Sequence, residues 1–435
     1  MLIKKVRLAL TGDQAGGNLI KNILILASGT AGAQILGFLF VPILTRIYTP
    51  TEFGLLAIFV ALLTVATPLV NLRYVVAIPL PRRKETATNL LVFCIALTLM
   101  FSLILGYLFP YVGSYLYDDI PSDKLEVFRW LFVLSLMGIG IYEAFSFLAI
   151  REKQFKVLAK TKFTQSLLGG LVKILLGFGL LKFYGLLIGH VVSQVSGLVS
   201  IILRSGEGVR ENLGKVKWKN ICFLTKYYIS FPVYQIPSEL MRTFSLKLPL
   251  FFFAKQYGAG EAGQLGLALT IVALPIAIIG QTTRQAFYGE IAAYRTSDLT
   301  AIRGTFFVLL RRLAFVSILP FFTLFFLSAD MFGIFFGSNW YSAGVYSEIL
   351  AIYLIVQFLY VPLGGPLLNF FKKNWLLPIL DISRLIIMVS IFTFCAWSSC
   401  EPKATLLIYS VGLAFHYLVS LASIYKITLA CNNER

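Results

Sequence analysis

At 435 residues, with 58% apolar and only 13% charged side chains, the chain has too little polar surface for a soluble fold, which averages about 25% charged residues. In water it would expose large apolar patches and aggregate. Its net charge of +18 does not mark a nucleic-acid binder, because the cations are scattered between apolar runs instead of gathered into one patch or stripe.

The N-terminal stretch is polar and basic and has no cleavage-site pattern after a short apolar core, so no removable signal peptide is expected. Twelve apolar runs follow, at approximately 22–43, 53–72, 88–109, 127–150, 163–181, 184–203, 228–253, 265–289, 306–328, 343–366, 375–397 and 404–425. Each is near the roughly 20 residues a helix needs to cross about 30 Å of hydrocarbon. The chain is therefore read as an all-α integral membrane protein of about twelve transmembrane helices.

Loop charge tests that count. With the N-terminus placed inside, the outer segments hold only Arg46, Lys124, Arg129, Lys182, Lys255 and Lys403. Most of the 38 Lys and Arg fall in inner segments. A wrong span count would scramble the alternation beyond the error. It stays regular to the end, which predicts cytoplasmic N- and C-termini.

The longest inner loop, 204–227, contains "RSGEGVRENLGKVKWKN" and is polar and Gly-containing, as a linker should be. It divides the chain into two six-helix bundles, 1–210 and 211–435. An even number of spans per half implies parallel repeats about an axis along the membrane normal. The outer corners support duplication. "PILTRIYTPTEFG" carries Tyr48, Glu52 and Gly54, and "PLFFFAKQYGAGEAG" carries Tyr257, Glu261 and Gly263 at the same spacing, each after the first span of its half.

Cys94, Cys222, Cys395, Cys400 and Cys431 form no C-x-x-C pair, and neither His190 nor His416 stands at ligand spacing from one. No metal-site pattern is present, and the cysteines read as apolar fillers or free loop thiols. There is no G-x-x-x-x-G-K-[ST] loop, so ATP hydrolysis by the chain is not expected. No enzyme signal and no cofactor requirement stand out.

Three stretches resemble the polysaccharide-transport family, the bacterial O-antigen and capsule repeat-unit flippases. They are "PILTRIYTPTEFGLLAIF", "RYVVAIPLPRRKETATNLL" and "FGIFFGSNWYSAGVYSEILAIYLIVQFLYVPL". The family's relatives are the multidrug and toxin exporters and the lipid II flippases of one exporter superfamily. The resemblance implies two six-helix bundles facing a central cavity. It implies an oligosaccharide carried on undecaprenyl pyrophosphate, moved from the inner to the outer leaflet of the bacterial cytoplasmic (inner) membrane by alternating access. It further implies proton or sodium coupling, membrane lipids as surroundings, and a polysaccharide polymerase as functional partner.

A charge at the bilayer centre costs about 2.5–3.5 kcal/mol on insertion scales, so such residues usually face a cavity or a partner. Lys173 shares a helix face with Gly169 and Gly177, which would leave its ammonium open to a lumen or close to another helix. The seventh span, "IPSELMRTFSLKLPL", holds Glu239, Arg242 and Lys247 between Pro237 and Pro249, two residues that can bend it. Glu239 and Arg242 can pair at three-residue spacing; Lys247 has no such local partner. Arg284 sits in the polar turn "GQTTRQAFYGE", as either a headgroup-reaching arginine or a cavity residue. With the resemblance, Arg242, Lys247, Arg284 and Lys173 become the candidate cationic lining for a pyrophosphate diester. Glu143, Glu239 and Asp381 are candidate coupling carboxylates, with a local salt bridge to Arg384 the expected role of Asp381.

Two other readings remain at this level. A cation-coupled exporter of drugs or metabolites would place net negative charge in its cavity. A membrane polymerase or ligase of the glycan pathway would want a sizeable outer loop, and the longest, around Pro110 to Glu126, is short.

Overall fold

The computed structural model describes residues 14–117, 122–179, 181–292, 299–326, 328–371, 373 and 375–430. All regular structure among them is helical. Each of the twelve apolar runs falls on helix, and nine described helices are long and apolar enough to cross a membrane.

The described residues form two compact units. The first comprises those up to Tyr48 together with Phe59–Leu240. It is built from α1 (Gln14–Ile47), most of α2 (Pro50–Val70), α3 (Lys84–Leu116), α4 (Ser122–Arg151), α5 (Phe155–Gly177), α6 (Lys182–Val195), α7 (Leu198–Ser205) and α8 (Trp218–Tyr227). Within it α1 packs along α5, α5 along α6, and α4 against α3, α6 and α7. The close line is α1 on α5: a Cβ added at Gly29 would fall onto Ala159, and Ser166 donates to the Ala33 carbonyl at 2.8 Å. The small-residue face of the first span is thus occupied by α5, as small residues permit.

The second unit comprises Thr49–Ile58 and the described residues from Met241 on. Its helices are α9 (Ile236–Pro275), α10 (Gln281–Ala292), α11 (Leu299–Phe326), α12 (Ser328–Phe336), α13 (Tyr341–Phe370), α14 (Leu376–Trp397) and α15 (Pro402–Ala430). α13 lies at its centre, contacted by α10, α11, α12 and α15, with α14 against α15.

Polarity is distributed for an apolar solvent. Thr98, Ser102 and Ser135 are fully buried, whereas Phe315, Ile318, Leu319 and Phe322 form an exposed stripe at helical spacing on α11. In water that stripe would be an aggregation surface; in lipid it is the ordinary outer face of a span.

The repeated corners are built from recognisable parts. Thr49 and Glu52 form a reciprocal capping box at the start of α2: Thr49 N–H donates to Glu52 Oε2 at 2.8 Å, and Glu52 N–H to Thr49 Oγ1 at 3.3 Å. Pro50 takes the first helical position, where its missing N–H costs nothing. At the second corner Gly258 fills the place of Thr49. It adopts φ 84°, ψ 172° and interrupts α9 there, a conformation glycine reaches without strain. Glu261, in the place of Glu52, accepts a hydrogen bond from Tyr346.

Pro237 directly follows a π-helical turn over Phe231–Gln235 that runs on into α9 without a break; proline and a π turn are both recognised causes of a bend in a helix. Pro249 lies inside the helix as expected.

The loop motif "PLPRR" owes its shape to Arg151. That guanidinium donates to the carbonyls of Pro79 (3.3 Å), Pro81 and Arg82 (3.1 Å). Lys215 pairs with Glu85 at 2.7 Å, and Lys217 N–H donates to Asn89 at 3.2 Å. The linker preceding α8 is thereby tied to the start of α3.

Candidate functional site

In the second unit, α10 and the π-helical turn before it (Ile276–Gly280) face the Pro362–Asn369 end of α13 across a cavity of about 510 Å³. Its walls include Ile276, Ala277, Tyr288, Val361, Pro366 and Asn369, with Arg284 among them. The local sequence explains the opening. Pro362 and Pro366 each deprive α13 of a backbone hydrogen bond, and Gly364 and Gly365 between them carry no side chain. A Cβ at Gly365 would lie 3.0 Å from Arg284 Nη2, so the glycine is what lets the guanidinium lie against the α13 backbone. Arg284 makes no ion pair among the described residues. Its side chain is exposed at the cavity wall, and it brings up to five fixed donors to the chamber.

The other cationic candidates are placed differently. Lys247 is half-buried on α9 and makes no ion pair among the described residues; Arg242 is exposed on the same helix. Neither lines the cavity. In the first unit Lys173 is half-buried on α5, and its stem passes over Gly189 of α6, where a Cβ would overlap it. The flanking glycines serve helix contacts: Gly169 meets Ser193 of α6, and Gly177 meets Ile47 and Tyr48. No carboxylate among the described residues pairs with Lys173.

Glu143 and Glu239 fall in the first unit. Glu143 on α4 accepts from Arg73 at 3.0 Å and from Asn71 Nδ2 at 2.8 Å. Glu239 and Lys162 are close enough to act on it electrostatically. Arg73 is held there by backbone in the left-handed region, with φ 47° at Leu72 and 58° at Arg73, and by a bond from its own N–H to Asn71 Oδ1 at 3.0 Å. Two consecutive non-glycine residues in that region mark a constrained turn. Asp381 lies in the other unit and pairs with Arg384 at 3.2 Å. Arg384 also donates to the Tyr417 hydroxyl at 3.4 Å, which receives Gln357 at 2.8 Å.

Sequence reasoning did not single out Arg73, Asn71, Gly365 or Asn369 as site residues. The first two meet Glu143 from some 70 residues away, and no local spacing announces such a contact. A faint signal existed for the others in "PLGGPLLN", where two prolines and two glycines in one apolar span mark a disturbed helix. Glu348 accepts the Ala329 N–H at 3.0 Å and caps α12.

Spans long and apolar enough to cross a membrane, half-buried and exposed cations, a chamber beside a proline- and glycine-rich helix end and a half-buried acid–base cluster describe a multi-span helical membrane protein. The chain belongs to the polysaccharide biosynthesis protein family, whose profile matches residues 43–344. A search of curated proteins by sequence found no match. Among solved structures, the lipid II flippase MurJ in an inward closed conformation is similar at TM-score 0.69 and 15% identity, covering 92% of this chain and 87% of that one. An inward-facing multidrug resistance MATE family transporter of the MOP superfamily is similar at TM-score 0.56 and 15% identity, covering 94% and 95%. A MOP superfamily transporter from Pyrococcus furiosus, described with a binding pocket of reversed polarity, matches at TM-score 0.52 and 16% identity over 98% of each chain. These likenesses establish the fold, and the proteins concerned are transporters and a flippase, not enzymes.

Proposed function

We propose that the protein is a flippase that carries an oligosaccharide on undecaprenyl pyrophosphate from the inner to the outer leaflet of a bacterial cytoplasmic membrane by alternating access. In this reading the chain is two parallel six-helix repeats, 1–210 and 211–435, with both termini in the cytoplasm. The observation that carries it is Arg284, a guanidinium with no ion pair among the described residues, set in a chamber beside Asn369. A pyrophosphate diester crossing the membrane needs its charge compensated, and Arg can grip phosphate oxygens in pairs while Lys acts as a point charge. Lys173, Lys247 and Arg242 are the further cationic candidates for that compensation. Asn369 and Tyr288 offer hydrogen bonds of the kind sugars require.

Glu143 and Glu239 are the coupling groups in this reading. A carboxylate already shared between Arg73 and Asn71 can exchange a proton or bind sodium as its neighbours move. Asp381, committed to Arg384, is the weaker third candidate. A polysaccharide polymerase is the downstream partner.

The test is export of the glycan in cells lacking the native protein. Arg284→Ala, Arg242→Ala and Lys247→Ala should each lower surface glycan, with lipid-linked intermediates accumulating on the inner leaflet and protein abundance unchanged. Wild-type export by all three would remove the cationic path. Export of a cationic drug with no glycan phenotype would favour the multidrug reading. Intermediates that reach the outer leaflet but stay unpolymerised would favour a polymerase.

A further inference from the structure

Cys395 and Cys400 occupy two special positions at the end of α14. The helix closes with a Schellman motif: Cys400 N–H donates to the Cys395 carbonyl at 3.0 Å, and Ser399 N–H to the Ala396 carbonyl at 3.4 Å. Ser399 is the left-handed residue, at φ 48°. In this motif the residue three positions inside the helix end and the second residue beyond it bring their side chains together, usually as an apolar contact. Here both are cysteine, and both carry free thiols, Cys395 buried and Cys400 half-buried. The left-handed position usually holds glycine; a serine there is mildly strained and benefits from an added constraint. On its other side the turn is fastened by Tyr257, whose hydroxyl donates to the Cys400 carbonyl at 2.7 Å and meets Thr405 Oγ1 at 2.6 Å.

We infer that Cys395 and Cys400 are joined by a disulfide in the mature protein, locking the outer end of α14. The inference rests on the orientation proposed above, which puts residues 398–403 outside the cytoplasm, where thiols meet an oxidising environment. A disulfide needs Cα atoms about 4.4–6.8 Å apart, and a closed six-residue turn keeps its ends in that neighbourhood. The chemistry balances as a dithiol–disulfide exchange. Each thiol gives up a proton and an S–S bond forms. The two electrons and two protons pass to a protein disulfide of the outer compartment, which leaves as a dithiol. Cys94 is buried, and Cys222 is exposed on α8 in the proposed cytoplasmic segment; neither takes part.

Trypsin should release residues 385–403 as one peptide containing both cysteines. Cells are quenched with N-ethylmaleimide before lysis and the peptide is weighed with and without later reduction. The expected result is an unalkylated peptide two hydrogens lighter than the dithiol, taking up two alkyl groups only after reduction. Alkylation of both cysteines before reduction overturns the inference. A membrane-impermeant maleimide applied to intact cells then says which premise failed. Labelling of Cys222 from outside would show that the orientation is reversed; a shielded Cys222 would show that the orientation holds and the disulfide alone is wrong. As a second readout, dithiothreitol should lower the thermal midpoint of the wild type by a few degrees and leave Cys400→Ser unmoved. Equal response of both proteins also overturns it.

Discussion

Gly54 and Gly263 meet backbone to backbone. A Cβ on Gly54 would fall onto the Ala259 carbonyl oxygen, and one on Gly263 would fall onto the Pro50 carbonyl oxygen. The contact is reciprocal, since each glycine stands four residues after the carbonyl that its counterpart touches. Approach this close is available only without side chains, and it brings Cα–H groups against carbonyl oxygens. The tyrosine of each corner has a matching task. Tyr48 donates to the Lys173 carbonyl at 2.7 Å, and Tyr257 to the Cys400 carbonyl at 2.7 Å. Each phenol thus holds its corner to the fifth span of its own half or to the turn just after it. The repeated Tyr-x-x-x-Glu-x-Gly is a structural device: a tether, a helix start and a bare backbone.

Gly54→Ala and Gly263→Ala should therefore each destabilise the protein by more than a surface change would. Overpacking of a fitted contact costs about 1–3 kcal/mol, and here the obstacle is backbone that cannot rotate away. A thermal-shift measurement in detergent should show a lowered midpoint for both. Gly32→Ala, where nothing lies within 4 Å of an added Cβ, is the control and should be near neutral. Unchanged midpoints for Gly54→Ala and Gly263→Ala would rule out the close approach.

The Arg73–Glu143 pair is expected to behave as a unit. Its side chains are only 20% and 21% exposed, so its cost falls between the surface and buried limits, at about 1–3 kcal/mol when one partner is lost. Arg73→Ala leaves Glu143 with Asn71 alone, and Glu143→Gln leaves Arg73 without its anion. The double variant should be more stable than the sum of the two single losses predicts, by roughly 1 kcal/mol in a double-mutant cycle. Additive losses would mean the 3.0 Å contact contributes nothing.

The span positions were legible because they depend on residue type alone. Apolar length and loop charge answer to the bilayer, and all twelve runs fall on helix. The Asp381–Arg384 pair was legible for a similar reason, since its three-residue spacing lies on one helix face. Contacts between helices were not legible. Arg73 and Glu143 have nothing in common along the chain, and the Arg284 chamber depends on where α13 thins at Gly364 and Gly365. Lys173 shows the limit from the other side. The glycines beside it do lie on its face, but they serve packing against α6 and the end of α1.

Arg384 and Asp381 should respond unequally to substitution. Arg384 is 12% exposed and Asp381 47% exposed, so water already screens the carboxylate. Asp381→Asn should cost under about 1 kcal/mol. Arg384→Ala should cost about 1–3 kcal/mol, because it also removes the donor to Tyr417 and the packing of its stem. Equal effects on the thermal midpoint would indicate that the pair acts through charge alone. A larger loss of export than of stability in Asp381→Asn would instead move that carboxylate into the coupling machinery.

Gly365 gives the sharpest test of the chamber, because it touches Arg284 without carrying any chemistry itself. An alanine methyl there would sit 3.0 Å from Nη2, tighter than ordinary van der Waals contact. The α13 backbone is fixed by its neighbours and the arginine is long and flexible, so the guanidinium is the group that gives way. Gly365→Ala should therefore leave the protein folded and abundant while weakening substrate capture several-fold, seen as a higher substrate concentration for half-maximal flipping in proteoliposomes. Arg284→Lys keeps the charge but loses the planar fork that matches phosphate oxygens, so it should retain part of the activity that Arg284→Ala loses. In the Arg284→Ala background Gly365→Ala should have no further effect on capture, since the group it displaces is gone. If the methyl still weakens capture there, it acts by narrowing the chamber for the substrate, and the guanidinium is not what Gly365 accommodates.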